Sequence, residues 1–394
     1  MLASCALLFA VAASAQIPEV RVHPVPAELA AAIPKDAFHL FSGSGRTLAW
    51  LAPAGTEVVL WRSGKLEVLA LPPPPPTVGA ARMAVWDDRH DRLAVLAGAE
   101  GSQPAVWLAD DRRWQSTPEL PDIPGLICAV RGRVLVGTLP TPKGFSSPPP
   151  GKKEEGEVKQ EAEVWLELVS STSTSWTPFV TSGLSNVMAE EAEARRKSSK
   201  KPVDRFSTAT ETASWSASIL VPRSDGRYWL VNRYAGDLAV LSTSGAVQWE
   251  GRLEDVRPAG WSDDQKKRIL DSIGKTTGQR PEAMAFSSYR PVVFAAASVE
   301  DHLLVLADTP PGRRLFVVSA YDQAVSVFRV PSPYWILGAT EDGVIVVGPR
   351  WEMLDWEELR PAIGPPDEEA DAGAAFPPGA PAPGCGTSPQ PPGA

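Results

Sequence analysis

Short apolar runs with period-two alternation, cut by glycine, proline or aspartate turns, recur from Phe38 onward and fall into groups of four. No other feature of the chain constrains its fold as strongly. Alternation sends successive side chains to opposite faces, so each run reads as a strand with two packing faces, and helical periodicity is nearly absent. The first group is Ala37–Ser42, Thr47–Ala52, Glu57–Trp61 and Lys65–Leu71, with Ser63-Gly64 as a hairpin turn and Pro72–Pro76 closing it. The second is Ala81–Trp86, Arg92–Ala97, Ala105–Ala109 and Arg113–Ser116; the third is Gly125–Val130, Arg133–Leu139, Val164–Val169 and Ser175–Val180. The fourth is Ser216–Val221, Tyr228–Asn232, Leu238–Leu241 and Ala246–Glu250, turning at Asp225-Gly226 and Ser244-Gly245. The fifth is Val292–Ala297, Leu303–Ala307, Leu315–Ser319 and Ala324–Val330; the sixth has Trp335–Ala339, Val344–Val347 and Met353–Trp356.

Six groups of about four strands, spaced at roughly 40–55 residues, predict an all-β fold: a β-propeller of six four-stranded blades with short helical insertions. The sixth group is a strand short. Residues 18–25, Pro-Glu-Val-Arg-Val-His-Pro-Val, supply the missing one by pairing the N-terminus with the last blade, which leaves no sheet edge open. Fourteen tryptophans, spread from Trp50 to Trp356, suit the broad faces of such sheets.

Around this ring, residues 16–360, lie segments of different character. Residues 1–15 are an apolar run ending in Ala13-Ser14-Ala15, the form of a secretory signal cleaved after Ala15, so the chain is expected to be exported to the periplasm or beyond. No later stretch reaches the about 18 apolar residues of a membrane span. Insertions are expected at 140–162 (Pro/Gly-rich, then charged), at 187–203 (a charged exposed helix, with Glu191–Arg195 and Glu193–Lys197 spaced to pair) and at 254–280. The last contains the clearest helix, 262–273: Ser262-Asp263-Asp264-Gln265 is a capping box, Ile269, Leu270 and Ile273 form an apolar stripe, and Gly274 is placed as the C-terminal cap. The tail 361–394 is Pro/Gly/Ala-rich and is expected to be disordered.

The stretch Ser224-Asp225-Gly226-Arg227-Tyr228-Trp229-Leu230-Val231-Asn232, with Leu238–Leu241 and Gly245–Trp249 after it, resembles the repeat of bacterial exported six-bladed propellers of the NHL- and TolB-like superfamily. Glu341-Asp342-Gly343-Val344-Ile345 echoes the same turn. The resemblance implies the fold alone, because that superfamily holds enzymes, binders and scaffolds alike.

Chemistry-bearing patterns are sparse. A net charge of −9 lacks the basic face that nucleic acid requires. Gly274-Lys275-Thr276 ends like a phosphate-binding loop but has Ile269 where glycine is needed and follows a helix. No spacing of cysteine, histidine and acids suits zinc. Three cysteines set up no disulfide framework: Cys5 leaves with the signal, Cys128 sits in an apolar strand and Cys385 in the tail. Acidic pairs at 87–88, 110–111, 300–301 and 341–342 recur at blade turns; they read as solvated turn residues, with rim-bound calcium as the alternative. No catalytic, cofactor or metal residue is assigned, and the cofactor stays unknown. His39, Arg82, Tyr289 and Arg290 are the candidates for a site at the central channel, His39 foremost because first strands of blades line it.

Two functions stay open. One is a non-enzymatic scaffold that binds an envelope or extracellular protein or another ligand through its decorated face. The other is a hydrolase, lactonase or sugar-acting enzyme with its site at the channel mouth. Intact-mass measurement on protein from the native host is expected to find a mature N-terminus at Gln16; an unprocessed Met1 would remove the case for export.

Overall fold

The computed structural model describes residues 17–33, 41–43, 47–52, 54–98, 104–120, 123–130, 132–139, 163–169, 175–183, 185–198, 217–223, 225–277, 288–300, 302–310, 312–320, 323–331, 334, 336–340, 343–347, 350–356 and 359. Residues 1–16, His39, the whole 140–162 insertion, the segment 199–216 and the tail lie outside them.

The chain enters through β1 (His23–Pro24) and a short helix α1 (Ala27–Ala32). Blade 1 follows as β2 (Phe41–Gly43), β3 (Thr47–Leu51), β4 (Glu57–Arg62) and β5 (Lys65–Ala70). Blade 2 is β6 (Ala80–Asp87), β7 (Arg92–Gly98), β8 (Ala105–Ala109) and β9 (Trp114–Ser116). Blade 3 is β10 (Ile123–Val130), β11 (Arg133–Leu139), β12 (Glu163–Val169) and β13 (Ser175–Ser182), followed by helix α2 (Asn186–Ser198). Blade 4 is β14 (Ser218–Pro222), β15 (Tyr228–Asn232), β16 (Asp237–Leu241) and β17 (Val247–Arg252), followed by helix α3 (Asp263–Thr277). Blade 5 is β18 (Val293–Val299), β19 (His302–Thr309), β20 (Gly312–Ser319) and β21 (Val325–Arg329). Blade 6 is β22 (Ile336–Thr340), β23 (Gly343–Val347) and β24 (Trp351–Leu354), with β1 as its fourth strand.

Each sheet is an antiparallel meander of four strands. The first strands β2, β6, β10, β14, β18 and β22 touch one another in that order, and β22 returns to β2. The six sheets therefore close into a ring with their first strands innermost: the expected six-bladed propeller. Closure uses the N-terminus as expected, with His23 opposite Met353 and Pro24 opposite Glu352. Just before it, Glu19 bridges to Arg329 on the outer strand of blade 5. Helix α1 then buries Leu29 and Ile33 with Trp50, Trp61 and Ile345, so one short N-terminal segment ties blades 5, 6 and 1.

Strand alternation fills the seams between blades. On β3, Leu48 and Trp50 face blade 6 while Ala49 and Leu51 face blade 2. On β15, Tyr228 faces blade 3, and Trp229 and Val231 face blade 5. Trp50, Trp86, Trp165 and Trp229 are among the most deeply buried side chains. The broad indole suits the gap between two twisted sheets, which is why the tryptophans are spread along the chain.

At the end of the ring that carries the first hairpin of each blade, arginines clip neighbouring blades together. Arg62 pairs with Asp91 at 3.1 Å, and Arg92 donates to the carbonyl of Gly132. Arg133 holds Glu167 through both carboxylate oxygens, donates to Tyr228 Oη and the Thr243 carbonyl, and lies over the Phe179 ring.

Two sequence expectations shift. Helix α3 runs to Thr277, and Gly274 lies inside it instead of capping it, since a helical glycine costs only about 1 kcal/mol against alanine. Its capping box is present: Ser262 N–H donates to Gln265 and Gln265 N–H to Ser262. The third strand of blade 6 is Trp351–Leu354, two residues earlier than its apolar run suggested, because it must lie in register with both Val344–Val347 and His23–Pro24.

Leu29 is fully buried in the closing seam. Leu29→Ala is expected to lower unfolding free energy by about 3 kcal/mol, read as a shift of the denaturant midpoint. A loss below about 1 kcal/mol would show that α1 does not hold the ring closed.

Candidate functional site

Strand register places three chain excursions at one end of the ring. The chain leaves β11 at Leu139, opposite Ile123, and returns at Glu163, opposite Ser182. It leaves after Ser182 and returns at Ser218, opposite Asn232; it leaves again at Arg252, opposite Asp237, and returns at Val293. These excursions arise from adjoining blades, 3 and 4. Between the same two blades, at the same end, opens a cleft of about 720 Å³.

Blade 4 forms one wall. Ser218, Asn232, Asp237 and Arg252 occupy the last rung of its four strands, one residue per strand, and all line the cleft. Asp237 and Arg252 pair at 2.7 Å. Asn232 Oδ1 accepts the backbone N–H groups of Tyr234 and Ala235, which shapes the tight connection to β16. Gly236 in that connection is required by close approach: a Cβ there would lie 2.4 Å from the Leu253 carbonyl oxygen. Blade 3 contributes Val180, Thr181 and Ser182 from its outer strand, and Ser185 and Asn186 lead into α2. Glu250, Glu254 and Arg257 also line the cleft. None of the described lining residues is aromatic.

Beneath the cleft lies Glu163, 2% exposed. Its carboxylate crosses the seam and accepts the Ser218 N–H at 3.0 Å, the Ser218 hydroxyl, and the indole N–H of its own blade's Trp165 at 3.2 Å. Ser182 Oγ stands 3.5 Å from Ser218 Oγ. Gly137 makes the room: a Cβ there would lie 3.0 Å from the Trp165 ring and 3.2 Å from Glu163 Oε1. Burial pushes the Glu163 carboxyl up to about 7, against the pull of the Ser218 and Trp165 donors and of the Arg233 charge. The group therefore exchanges a proton near neutral pH.

A second buried carboxyl, Glu352 on β24, accepts the Tyr334 hydroxyl and Arg350 Nε, and burial raises it too. It belongs to blade 6 and does not line the cleft.

The sequence candidates fall elsewhere. His39 lies outside the described residues. Arg82 is exposed on β6, an innermost strand, at a bulge between Ala81 and Met83. Tyr289 packs against Val187, Met188, Ala217, Tyr234 and Ala235, and its hydroxyl donates to Glu191 of α2 at 2.9 Å. Arg290 pairs with Asp308 at 2.8 Å and bridges by its backbone to Ala259. Tyr289 and Arg290 thus stand together and moor the two helical excursions to the ring, and neither lines the cleft. Among the turn acids, Asp87 is held by His90 and Arg92, and Asp110 accepts the N–H groups of Arg112 and Arg113. Among the described residues no three His, Cys, Asp or Glu side chains converge as a metal site, and no helix is long and apolar enough to cross a membrane. Burial pushes the Cys128 thiol up to about 12, which leaves it unreactive. Sequence reading passed over Glu163, whose only signal is an acid at the threshold of an apolar strand, and took Asn232 simply as a strand residue.

No family model and no curated protein sequence matches the chain. Solved structures match at low identity. A luciferin-regenerating enzyme is 10% identical over 86% of this chain and 96% of its own, with a TM-score of 0.42. YCF48 bound to a D1 peptide is 10% identical over 86% of this chain and 99% of its own, with a TM-score of 0.41. A virginiamycin B lyase from Staphylococcus aureus is 11% identical over 79% of this chain and 78% of its own, with a TM-score of 0.38. At these values they assign neither family nor function, and the six-bladed ring stands on its own strand pairing.

The folded carboxyl of Glu163 lies above its ordinary value of 4.5, so the folded chain holds that proton more tightly than the unfolded chain does. The stability it confers is complete below about pH 4.5 and is lost as pH rises to about 7. Glu163→Gln keeps an acceptor for Ser218 without the charge. It is expected to be more stable than the parent at about pH 8, by up to about 3 kcal/mol, and no more stable at about pH 4. Thermal melts at the two pH values read the difference.

Proposed function

We propose that the chain is an exported, non-enzymatic binding scaffold that holds an extended polar segment of a partner protein in the cleft between blades 3 and 4. The observation that carries this reading is the cleft's position and lining. It opens at the end where three excursions leave blades 3 and 4, and hydroxyl, amide and charged groups of both signs wall it. Such a wall offers hydrogen bonds and ion pairs to a peptide backbone and its polar side chains, and its described residues include no ring for stacking sugars or bases.

A hydrolytic reading would use Ser218, a cleft-lining serine whose hydroxyl a carboxylate holds. That residue is 1% exposed, and its Oγ–H points into the seam at Glu163, away from any bound substrate. Binding is therefore the better account of the site. Export rests on the apolar run Met1–Ala15.

Photo-crosslinking residues placed at Asn186 and Glu250, both exposed at the cleft, are expected to trap one partner segment in the native host. The same probe at Asp111, at the hairpin end, is expected to trap none, and Arg252→Glu is expected to cut the cleft crosslink at least about tenfold. Equal trapping from both ends, or turnover of an ester or lactone that Ser218→Ala abolishes, would sink the proposal.

A further inference from the structure

We propose that Glu163 is a proton-operated latch on the cleft: its protonated carboxyl ties blade 3 to blade 4 beneath the cleft floor, and loss of the proton loosens that tie.

The geometry comes first. Glu163 opens β12 and Ser218 opens β14, so the tie joins two blades, and it sits at the mouth of their seam. Below it the seam is apolar, with Leu135, Trp165 and Phe179 against Leu220, Tyr228 and Leu241. Ser218, which holds the carboxyl, and Ser182 beside it both line the cleft, so the cleft is the side from which water approaches. An ionised carboxylate there must either stay dry at high cost or draw water in by parting the two blades.

The charges around it do not remove that cost. On its own strand the neighbour is the neutral Trp165 indole. From blade 4, Arg233 is the cation that bears on it; this side chain is half-buried, and its Nε has no partner among the described residues. Asp237 of β16 is already paired with Arg252 of β17. Asn232 has its Oδ1 engaged by backbone donors. Ser185 and Asn186 are neutral, and Glu250, Glu254 and Arg257 are the further charged groups that line the cleft.

Opening of the seam is thus linked to pH in the range between the carboxyl's ordinary value and its raised one. Its consequence for a ligand, tighter or weaker holding as pH changes, rests on the binding reading above; the latch does not.

Hydrogen exchange at the Ser218 and Ile219 amides, corrected for the intrinsic effect of pH, tests it without any ligand. In the parent chain, protection at these amides is expected to fall about tenfold per pH unit between about pH 5 and 7 and to level off above. In Glu163→Gln it stays flat. Arg233→Met retains the carboxyl but removes the cation that favours its charge, so the fall continues to higher pH; this variant keeps the test decisive if Glu163→Gln fails to fold. Flat protection in the parent, or the same fall in Glu163→Gln, overturns the latch. Because no ligand is present, either result leaves the crosslinking experiment to judge the binding reading on its own.

Discussion

Each blade can bury its two faces only against its neighbours, and this mutual dependence governs the whole molecule. Six apolar layers, one per seam, form the core. A ring of this kind fails if any seam stays open, because an open seam exposes two sheet faces at once. The seam between blades 6 and 1 joins the last blade to the first, and β1 with α1 closes it. A two-residue strand makes few hydrogen bonds. Its weight comes from Val25, Leu29 and Ile33, which follow it and pack against Trp50 and Trp61.

The same dependence explains the asymmetry of the ring's ends. At the hairpin end, short turns and arginine clips draw blades together, and the turn acids Asp87 and Asp110 are occupied by local partners. At the other end the meander is interrupted by long excursions, so blades 3 and 4 cannot close over their seam there. A cleft results, and the groups at its floor must be polar where they meet water and satisfied where they do not. Glu163 sits on that boundary. It is buried deeply enough for desolvation to outweigh three donors, yet close enough to the cleft for water to reach it when the blades part.

Much of the fold was legible because it depends on local pattern. Ser63-Gly64 turns a hairpin with both residues in the left-handed region, φ 50° and 68°, and Ser262 with Gln265 caps α3 reciprocally. The site was less legible. His39, Arg82, Tyr289 and Arg290 were singled out for an expected place near the channel; His39 lies outside the described residues, and Tyr289 and Arg290 brace α2 and the loop at Ala259 against the ring. Glu163 and Ser218 are 55 residues apart, with an ordinary glutamate and an ordinary serine as the only trace.

The sequence by itself determined the repeat: period-two alternation and turn residues decide that strands form, how many meander together, and that the N-terminus must complete the last sheet. Those are consequences of backbone geometry and of which faces are apolar, and they act within tens of residues. Tertiary structure alone decided where the cleft and its buried carboxyl lie. The seam between blades 3 and 4 brings one carboxyl from β12 to one serine on β14, and only burial in that seam raises the carboxyl to about 7. Desolvation belongs to the packed interior, and no single strand carries it.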